Sequence, residues 1–129
     1  MAKQIVLLDT SILIDFFRKS HKEKSKWFEL IKAGNEFAIS VVTEYEILIG
    51  SNDEQLEYWR TIFNQIKVLP LDSTVINSAV EIHSTLKKKR KQIDVADLFI
   101  AATSVRHNMP IATLNKSHFE RIETLKIHK

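Results

Sequence analysis

The chain has 129 residues, and its 44% hydrophobic and 27% charged residues are typical of a folded domain rather than a disordered segment. It has no Cys and only 2 Gly and 2 Pro, which excludes a disulfide framework, a thiol nucleophile and a turn-rich all-β fold. The net charge of +3 permits a polyanionic partner without requiring one. Since no apolar run could span a bilayer and Met1–Gln4 show no leader pattern, we expect one soluble cytoplasmic domain, residues 1–129.

The first half of the chain alternates short apolar runs with segments of helical spacing. Residues 4–8 predict a buried strand, because this run is too short for a helix and rich in branched side chains. A helix capped by Thr10 or Ser11 follows, and a second helix is predicted from about Ser20 to a stop at Gly34. The remaining elements of this half are a strand at 37–40, a helix at 43–48 and a helix capped by Asn52 or Asp53.

The second half continues this alternation. Residues 68–71 predict a short strand, and Pro70 indicates that it ends there or lies at a sheet edge. Asp72 or Ser73 caps a long helix. The later elements are a helix from Asp94 to about His107, strands at 110–113 and 125–127, and a short turn or helix at Phe119. Strands separated by helices imply parallel crossovers, so we predict an α/β three-layer sandwich with a central, mainly parallel sheet.

Oxygen-bearing side chains follow the predicted strands, at the edge where parallel α/β sheets bind ligands. Asp9 directly follows the first strand, and Glu46 lies near the start of the helix after the second. Asp97 lies in the first turn of the helix that begins at Asp94, and Asn115 follows the fourth strand. Such hard oxygen donors suit Mg²⁺ or Mn²⁺ rather than zinc, and a bound cation explains why mutually repelling carboxylates are bunched.

Each of these residues also has a purely structural interpretation. Asp9 can be only a helix N-cap, and Asp94 with Asp97 matches an N-cap followed by an acidic N3 residue. Thr43 and Glu46 have the spacing of a capping box. Two further acidic residues are assigned to solvated helix faces, Asp15 and Glu44. The spacing of the whole set, rather than any one residue, favours a metal site.

Four sequence blocks carry these residues in order along nearly the whole chain. They are LDTSILID at 8–15, ISVVTEYEILIG at 39–50, DLFIAAT at 97–103 and IATLNKSHF at 111–119. Together they resemble the motifs of PIN-domain ribonucleases, most closely the VapC-type toxins of toxin–antitoxin pairs. The resemblance implies a PIN-like fold and a Mg²⁺-dependent endoribonuclease, with Mn²⁺ as an alternative metal, whose carboxylates bind the cation and position a water.

The same resemblance implies a role for each site residue. Asp9 and Asp97 are direct metal ligands, and Glu46 completes the site either directly or through bound water. Thr10 orients the first carboxylate or a phosphate. Asn115 stands where many relatives have an acidic residue, which weakens the case for a second tightly held metal. The family further implies an RNA substrate, a homodimer and a cognate antitoxin, for which the candidate apolar contacts are Phe16, Phe17, Trp27 and Trp59.

Other polar residues lack an arrangement that indicates chemistry. The sequence places Ser11, His83, His107 and His118 in no triad order and in no metal-binding pair, so they are assigned to caps or to the surface. The basic block at 87–91 has two interpretations, which the sequence leaves open. It can bind RNA phosphates near the acidic site, or it can be a solvated helix end whose cations interact with the helix dipole.

Two other functions compete with the nuclease. A receiver domain is also a parallel α/β fold with acidic residues at strand ends, but it carries paired acids after its first strand, where this chain has Leu8 before Asp9. A catalytically silent PIN-like module would bind RNA or a protein partner without cleaving. The complete set of Asp9, Glu46 and Asp97 argues against the silent module.

Overall fold

The computed structural model describes residues 4–128, so the leader assessment of residues 1–3 lies outside the described chain. The elements, in order, are β1 (Ile5–Leu8), α1 (Thr10–Arg18), a 3₁₀ turn (Lys22–Lys24), α2 (Lys26–Lys32), β2 (Glu36–Ser40), α3 (Val41–Ile49), α4 (Asp53–Phe63), β3 (Lys67–Leu69), α5 (Ser73–Lys88), α6 (Val95–Arg106), β4 (Ile111–Ala112) and α7 (Lys116–Phe119). Among these helices, none combines the length and apolar character needed to cross a membrane.

The four strands form one parallel sheet in the order β3-β2-β1-β4. β1 lies between β2 and β4, with Leu7 opposite both Ala38 and Ile111. Because every strand runs the same way, the segments that follow β1, β2 and β4 leave the sheet at one edge. The predicted α/β sandwich with a central parallel sheet is confirmed, and β3, which Pro70 follows, is an edge strand as predicted.

The sheet separates two hydrophobic cores, because successive strand residues point to opposite faces. On β1, Leu7 packs in one core with residues of α5 and α6, whereas Val6 and Leu8 pack in the other with residues of α1, α2, α3 and α4. All three side chains are fully buried, and burying each contributes about 1.5–3 kcal/mol. The second core also contains Trp27 and Trp59, only 6% and 3% exposed, so the prediction that they are exposed contacts for a partner is wrong.

Polar side chains move two helix starts away from the predicted positions. α3 begins at Val41 rather than Thr43, because the Ser40 hydroxyl accepts a hydrogen bond from the Val42 amide at 3.0 Å. The helix predicted from Ser20 is divided, since the Ser25 hydroxyl caps α2 after the 3₁₀ turn. Both are ordinary N-caps, in which a serine oxygen satisfies an amide at the first turn.

The C-terminal strand predicted at 125–127 is reduced to one parallel bridge between Ile111 and Ile127. β4 itself has only two residues, so it offers little backbone for a fifth strand to pair with. The prediction of a complete strand there is wrong. The segment still closes the sheet edge, because the Ile111 amide donates to Lys126 O at 2.9 Å and the His128 amide donates to Ile111 O at 2.8 Å.

Candidate active site

Asp9 is the buried centre of the acidic edge of the sheet. It stands at the N-cap position of α1, but its side chain makes no cap hydrogen bond, so the interpretation of its carboxylate as only a cap is wrong. The residue is 2% exposed, and its Oδ2 accepts hydrogen bonds from the hydroxyls of Ser11 and Thr113, each at 2.7 Å. Two hydroxyl donors therefore hold one oxygen of this carboxylate at the junction of β1, α1 and β4.

The same two hydroxyls fix the segment that follows β4. Ser11 Oγ accepts a hydrogen bond from the Leu114 amide at 3.0 Å, and Thr113 Oγ1 accepts one from the Asn115 amide at 2.9 Å. Each hydroxyl donates to Asp9 and accepts from the loop, so the loop backbone is tied to the carboxylate twice. Ser11, assigned to a cap or the surface, and Thr113, not singled out from the sequence, both belong to this network.

Asp97 lies in the first turn of α6, and its side chain is 19% exposed. Its Oδ2 is 3.2 Å from His118 Nδ1, and Asp94 makes no side-chain cap hydrogen bond, so the predicted capping pair of Asp94 and Asp97 is wrong. Burial raises the pKa of the Asp97 carboxyl above its ordinary value, the His118 hydrogen bond lowers it, and the charges of Asp9 and Asp94 raise it. Asp97 therefore lies within electrostatic range of Asp9.

Glu46 lies on α3 with an exposed side chain beside the first turn of α1. Its Oε1 accepts a hydrogen bond from the Thr10 hydroxyl at 2.7 Å, and Thr10 Oγ1 also lies 3.1 Å from Thr43 Oγ1. The predicted capping box of Thr43 and Glu46 is wrong because Ser40 caps this helix and Thr43 is buried inside it. The Thr10 hydroxyl contacts Glu46 rather than the first carboxylate, Asp9, and its contact with a phosphate stays a prediction.

Asn115 is at the N-cap position of α7, and its side chain makes no cap hydrogen bond there. The residue is exposed and lines an open groove with Ser11 and Arg18 of α1. Within residues 4–128, its side chain forms no hydrogen bond to the carboxylates of Asp9 or Asp97. Its backbone, rather than its amide group, connects it to the acidic edge.

The carboxylate oxygens that the hydrogen bonds leave over suit a hard cation. Hydroxyls or the imidazole engage one oxygen each of Asp9, Glu46 and Asp97, and the other oxygen of each accepts no hydrogen bond from the described residues. In that part of the chain no group of three or more His, Cys, Asp or Glu residues is arranged to hold a metal by itself. Mg²⁺ commonly uses one or two carboxylates, with water and phosphate oxygens for the rest, so the donor set fits this ion.

Asp15, which was assigned to a solvated helix face, has a structural role instead. Its Oδ2 accepts a hydrogen bond from the Lys26 amide at 3.0 Å, and its Oδ1 pairs with Lys19 Nζ at 3.2 Å. Asp15 therefore joins α1 to the start of α2. Glu44, the other residue in that assignment, is half-buried on α3.

The basic block at 87–91 closes α5 and leads towards α6. The Arg90 amide donates to Lys87 O at 3.1 Å and the Lys91 amide to Leu86 O at 2.9 Å, with Arg90 at a φ of +56°. These are the bonds of a Schellman motif, whose left-handed position is usually glycine. Lys89 Nζ contacts Glu123 Oε1 at 2.6 Å. Because the loop joins directly to the first turn of α6, the block lies at the same end of α6 as Asp97.

Comparison with known proteins gives a consistent result. The family model described as PIN domain matches residues 6–125. Ribonuclease VapC1 of Methanocaldococcus jannaschii is 37% identical over 126 residues, which cover 95% of this chain and 86% of that protein. Among solved structures, VapBC-1 from nontypeable Haemophilus influenzae has a TM-score of 0.85 at 23% identity over 98% of both chains. A toxin–antitoxin complex from Klebsiella pneumoniae has a TM-score of 0.75 at 24% identity, over 93% of this chain and 94% of that one.

Proposed function

The chain belongs to the PIN-domain family, among the VapC-type ribonucleases, and on this premise we propose that it is a Mg²⁺-dependent endoribonuclease acting as a toxin. It hydrolyses RNA phosphodiester bonds in the cytoplasm and is neutralised by a cognate antitoxin. The receiver-domain alternative is wrong, because the family match covers residues 6–125 and pairs of helices connect the strands β1 to β2 and β2 to β3.

One observation carries the proposal, namely that Asp97 lies within electrostatic range of the buried Asp9, whose carboxylate has no cationic partner among the described residues. Asp9 is buried and Asp97 feels its charge. Among the described residues, no Lys, Arg or His nitrogen lies within 4.0 Å of the Asp9 carboxylate, and only the His118 ring does so at Asp97. Two carboxylates within range of each other's charge are stabilised by a divalent cation that both can bind.

The protein's side chains supply orientation and charge at this site. Asp9 and Asp97 would hold the cation, and Oδ1 of each carboxylate is available to it, since the hydroxyls and the imidazole contact Oδ2. When bound, the cation polarises the phosphate and lowers the pKa of a coordinated water. Glu46 Oε2 would be available to accept a hydrogen bond from a water, since the Thr10 hydroxyl contacts Oε1. We propose that the neutral amide oxygen of Asn115, on the loop tied to Asp9, is the fourth oxygen donor.

The decisive experiment is RNA cleavage by the purified protein as a function of Mg²⁺. We expect no cleavage after EDTA treatment, recovery with Mg²⁺ or Mn²⁺, and a loss of at least ~100-fold in Asp9→Asn and Asp97→Asn. Asn keeps the shape and one accepting oxygen but removes the negative charge. Glu44→Gln is the matched control and keeps full activity, because Glu44 lies on α3 two residues from Glu46 but outside the carboxylate set.

The result also separates the nuclease from a catalytically silent binding module. A silent module would bind RNA equally well with and without Mg²⁺, and wild type and Asp97→Asn would leave the RNA equally intact. Full activity of either carboxylate variant in EDTA-treated protein would contradict the metal-carboxylate mechanism.

An antitoxin segment has a suitable groove beside Glu46. α1, α3 and α4 line it with Ile14, Phe17 and Trp59, and Glu46 forms part of its wall. Ile14 is 36% and Phe17 37% exposed, whereas the other predicted contact on α1, Phe16, is half-buried against Trp27. An amphipathic helix laid in this groove would bury apolar surface and cover the acidic site together.

Growth of expressing cells tests the toxin role. We expect arrest when the chain is expressed alone, relief on co-expression of its cognate antitoxin, and no arrest with Asp97→Asn. A Phe17→Glu variant places a charge in the groove, and we expect it to remain toxic despite the partner. Harmless expression of folded, metal-loaded wild type would count against the toxin role.

We also propose a homodimer, which light scattering of the purified protein would detect.

A further inference from the structure

His118 lies at the outer side of the acidic site, with its side chain 50% exposed and its Nδ1 at 3.2 Å from Asp97 Oδ2. We infer that His118 is a positioning residue, whose Nδ1–H holds Asp97 Oδ2 and leaves Oδ1 free for a divalent cation. The inference rests on the proposed function and deepens it. It assigns a role to a residue that the sequence pattern placed at a cap or on the surface.

The chemistry of the pair determines which atom carries the proton. An ionised carboxylate can only accept hydrogen bonds, so Nδ1 of His118 is the donor. A hydrogen bond to a charged acceptor is roughly twice as strong as a neutral one. It therefore selects one orientation of the Asp97 carboxylate, just as carboxylates and backbone carbonyls orient the histidines of other metal sites.

Asp97 depends on this contact more than Asp9 depends on either of its donors. Asp9 Oδ2 accepts from both Ser11 and Thr113, whereas the His118 ring is the one side chain among the described residues that hydrogen-bonds Asp97. Removing the ring leaves the Asp97 side chain free to rotate in its first-turn position. Cation affinity then falls, because the ligand must be ordered when the metal binds.

The backbone around His118 holds the ring in place. The next residue, Phe119, is fully buried in the core formed with α5 and α6. The His118 amide donates to Asn115 O at 3.1 Å, and the Asn115 amide donates to Thr113 Oγ1 at 2.9 Å. Through Thr113, the segment that carries the imidazole is thus tied to Asp9. The two carboxylates are oriented by one connected set of hydrogen bonds.

The test compares His118→Ala with His118→Asn, whose side-chain amide nitrogen is attached to Cγ as Nδ1 is and can make the same bond. Mn²⁺ binding to the metal-free protein is followed by electron paramagnetic resonance, and the Mg²⁺ midpoint of cleavage is measured in parallel. We expect about 10-fold weaker Mn²⁺ binding and an equal rise of the midpoint in His118→Ala. His118→Asn should recover most of both. The control is His21→Ala, which removes a similar exposed pair, His21 Nδ1 to Glu23 Oε1 at 3.5 Å, away from the site.

Three outcomes would overturn the inference. These are unchanged Mn²⁺ affinity in His118→Ala, equal loss in His118→Ala and His118→Asn, or a raised KM with no change in metal binding. The last would make His118 a substrate contact. Melting temperatures of all variants identify any that fail to fold, and His118→Asn keeps the test valid if His118→Ala is one of them. These outcomes differ from the result expected if the proposed function is wrong, in which case wild type would neither bind Mn²⁺ nor cleave RNA.

Discussion

The two carboxylates at the centre of the site are held in contrasting ways. Asp9 is almost completely buried, and its hydroxyl partners join the end of β1, the start of α1 and the end of β4. Asp97 is more exposed, and its partner is a half-exposed imidazole on a four-residue helix. Asp9 is therefore as much a part of the fold as of the site, whereas Asp97 can be changed with little consequence for folding.

Alanine substitutions should separate these two roles most clearly. Asp9→Ala leaves the Ser11 and Thr113 hydroxyls without their buried acceptor, and we expect a loss of about 2–4 kcal/mol in the free energy of unfolding. Asp97→Ala should cost less than about 0.5 kcal/mol or stabilise the metal-free protein. The raised pKa of Asp97 agrees with a gain in stability when the carboxylate is removed. It means that the folded protein disfavours the ionised form of Asp97 at neutral pH. Urea unfolding in EDTA measures both, and equal losses would refute the contrast.

Removing a hydroxyl donor from Asp9 should have the next largest effect. Thr113→Val keeps the side-chain shape but leaves Asp9 with one donor and the Asn115 amide without its acceptor. We expect a loss of about 1–3 kcal/mol in stability and a smaller loss of cleavage than Asp9→Asn causes. The control is Thr85→Val on the exposed face of α5, whose hydroxyl donates a hydrogen bond to Glu81 O. Wild-type stability and cleavage in Thr113→Val would show that Ser11 alone holds the carboxylate.

The sequence indicated where the carboxylates lie but not what holds them. Asp9, Glu46 and Asp97 could be placed because apolar runs locate the strand ends, and parallel strands bring those ends to one edge. The pairing of Asp97 with His118 depends on the packing of α7 against α6. No local sequence pattern predicts this packing. Ser25 and Ser40 are caps that could have been read from the sequence, but the apolar spacing around them extends past the true helix ends.

A weaker effect is expected from the charge at the mouth of the site. Asn115→Asp adds a carboxylate to a loop that is tied to Asp9. We expect the Mg²⁺ midpoint of cleavage to fall about fivefold. This factor corresponds to about 1 kcal/mol of attraction between the new charge and the cation at the dielectric constant of water. Asp94→Asn is the competing test, because the charge of Asp94 already raises the pKa of Asp97. An unchanged midpoint in Asn115→Asp with a sharp rise in Asp94→Asn would assign the fourth role to Asp94.

The smallest effect concerns the basic block at 87–91, at the end of α5. Arg90→Gly suits the left-handed position at the end of α5, and we expect a gain of about 0.5–1 kcal/mol in stability. If the block binds RNA, the same change weakens binding to the inactive Asp97→Asn protein and lowers the slope of log affinity against log salt by about 0.7. Unchanged RNA affinity with the gain in stability would make the block a solvated helix end. Fluorescence anisotropy at several salt concentrations measures the slope.

The bond between Thr113 Oγ1 and Asp9 Oδ2 connects residues 104 positions apart along the chain. During synthesis, Asp9, Thr10 and Glu46 leave the ribosome long before Asp97, Thr113 and His118 do. A nascent chain therefore contains neither the second carboxylate nor the groups that orient the pair, and β1 has no β4 to pair with. Contacts so distant along the chain form late in folding, since closing the loop between them carries a large entropic cost. The hydrogen bonds that orient the two carboxylates are thus completed only after Thr113 and His118 have been synthesised.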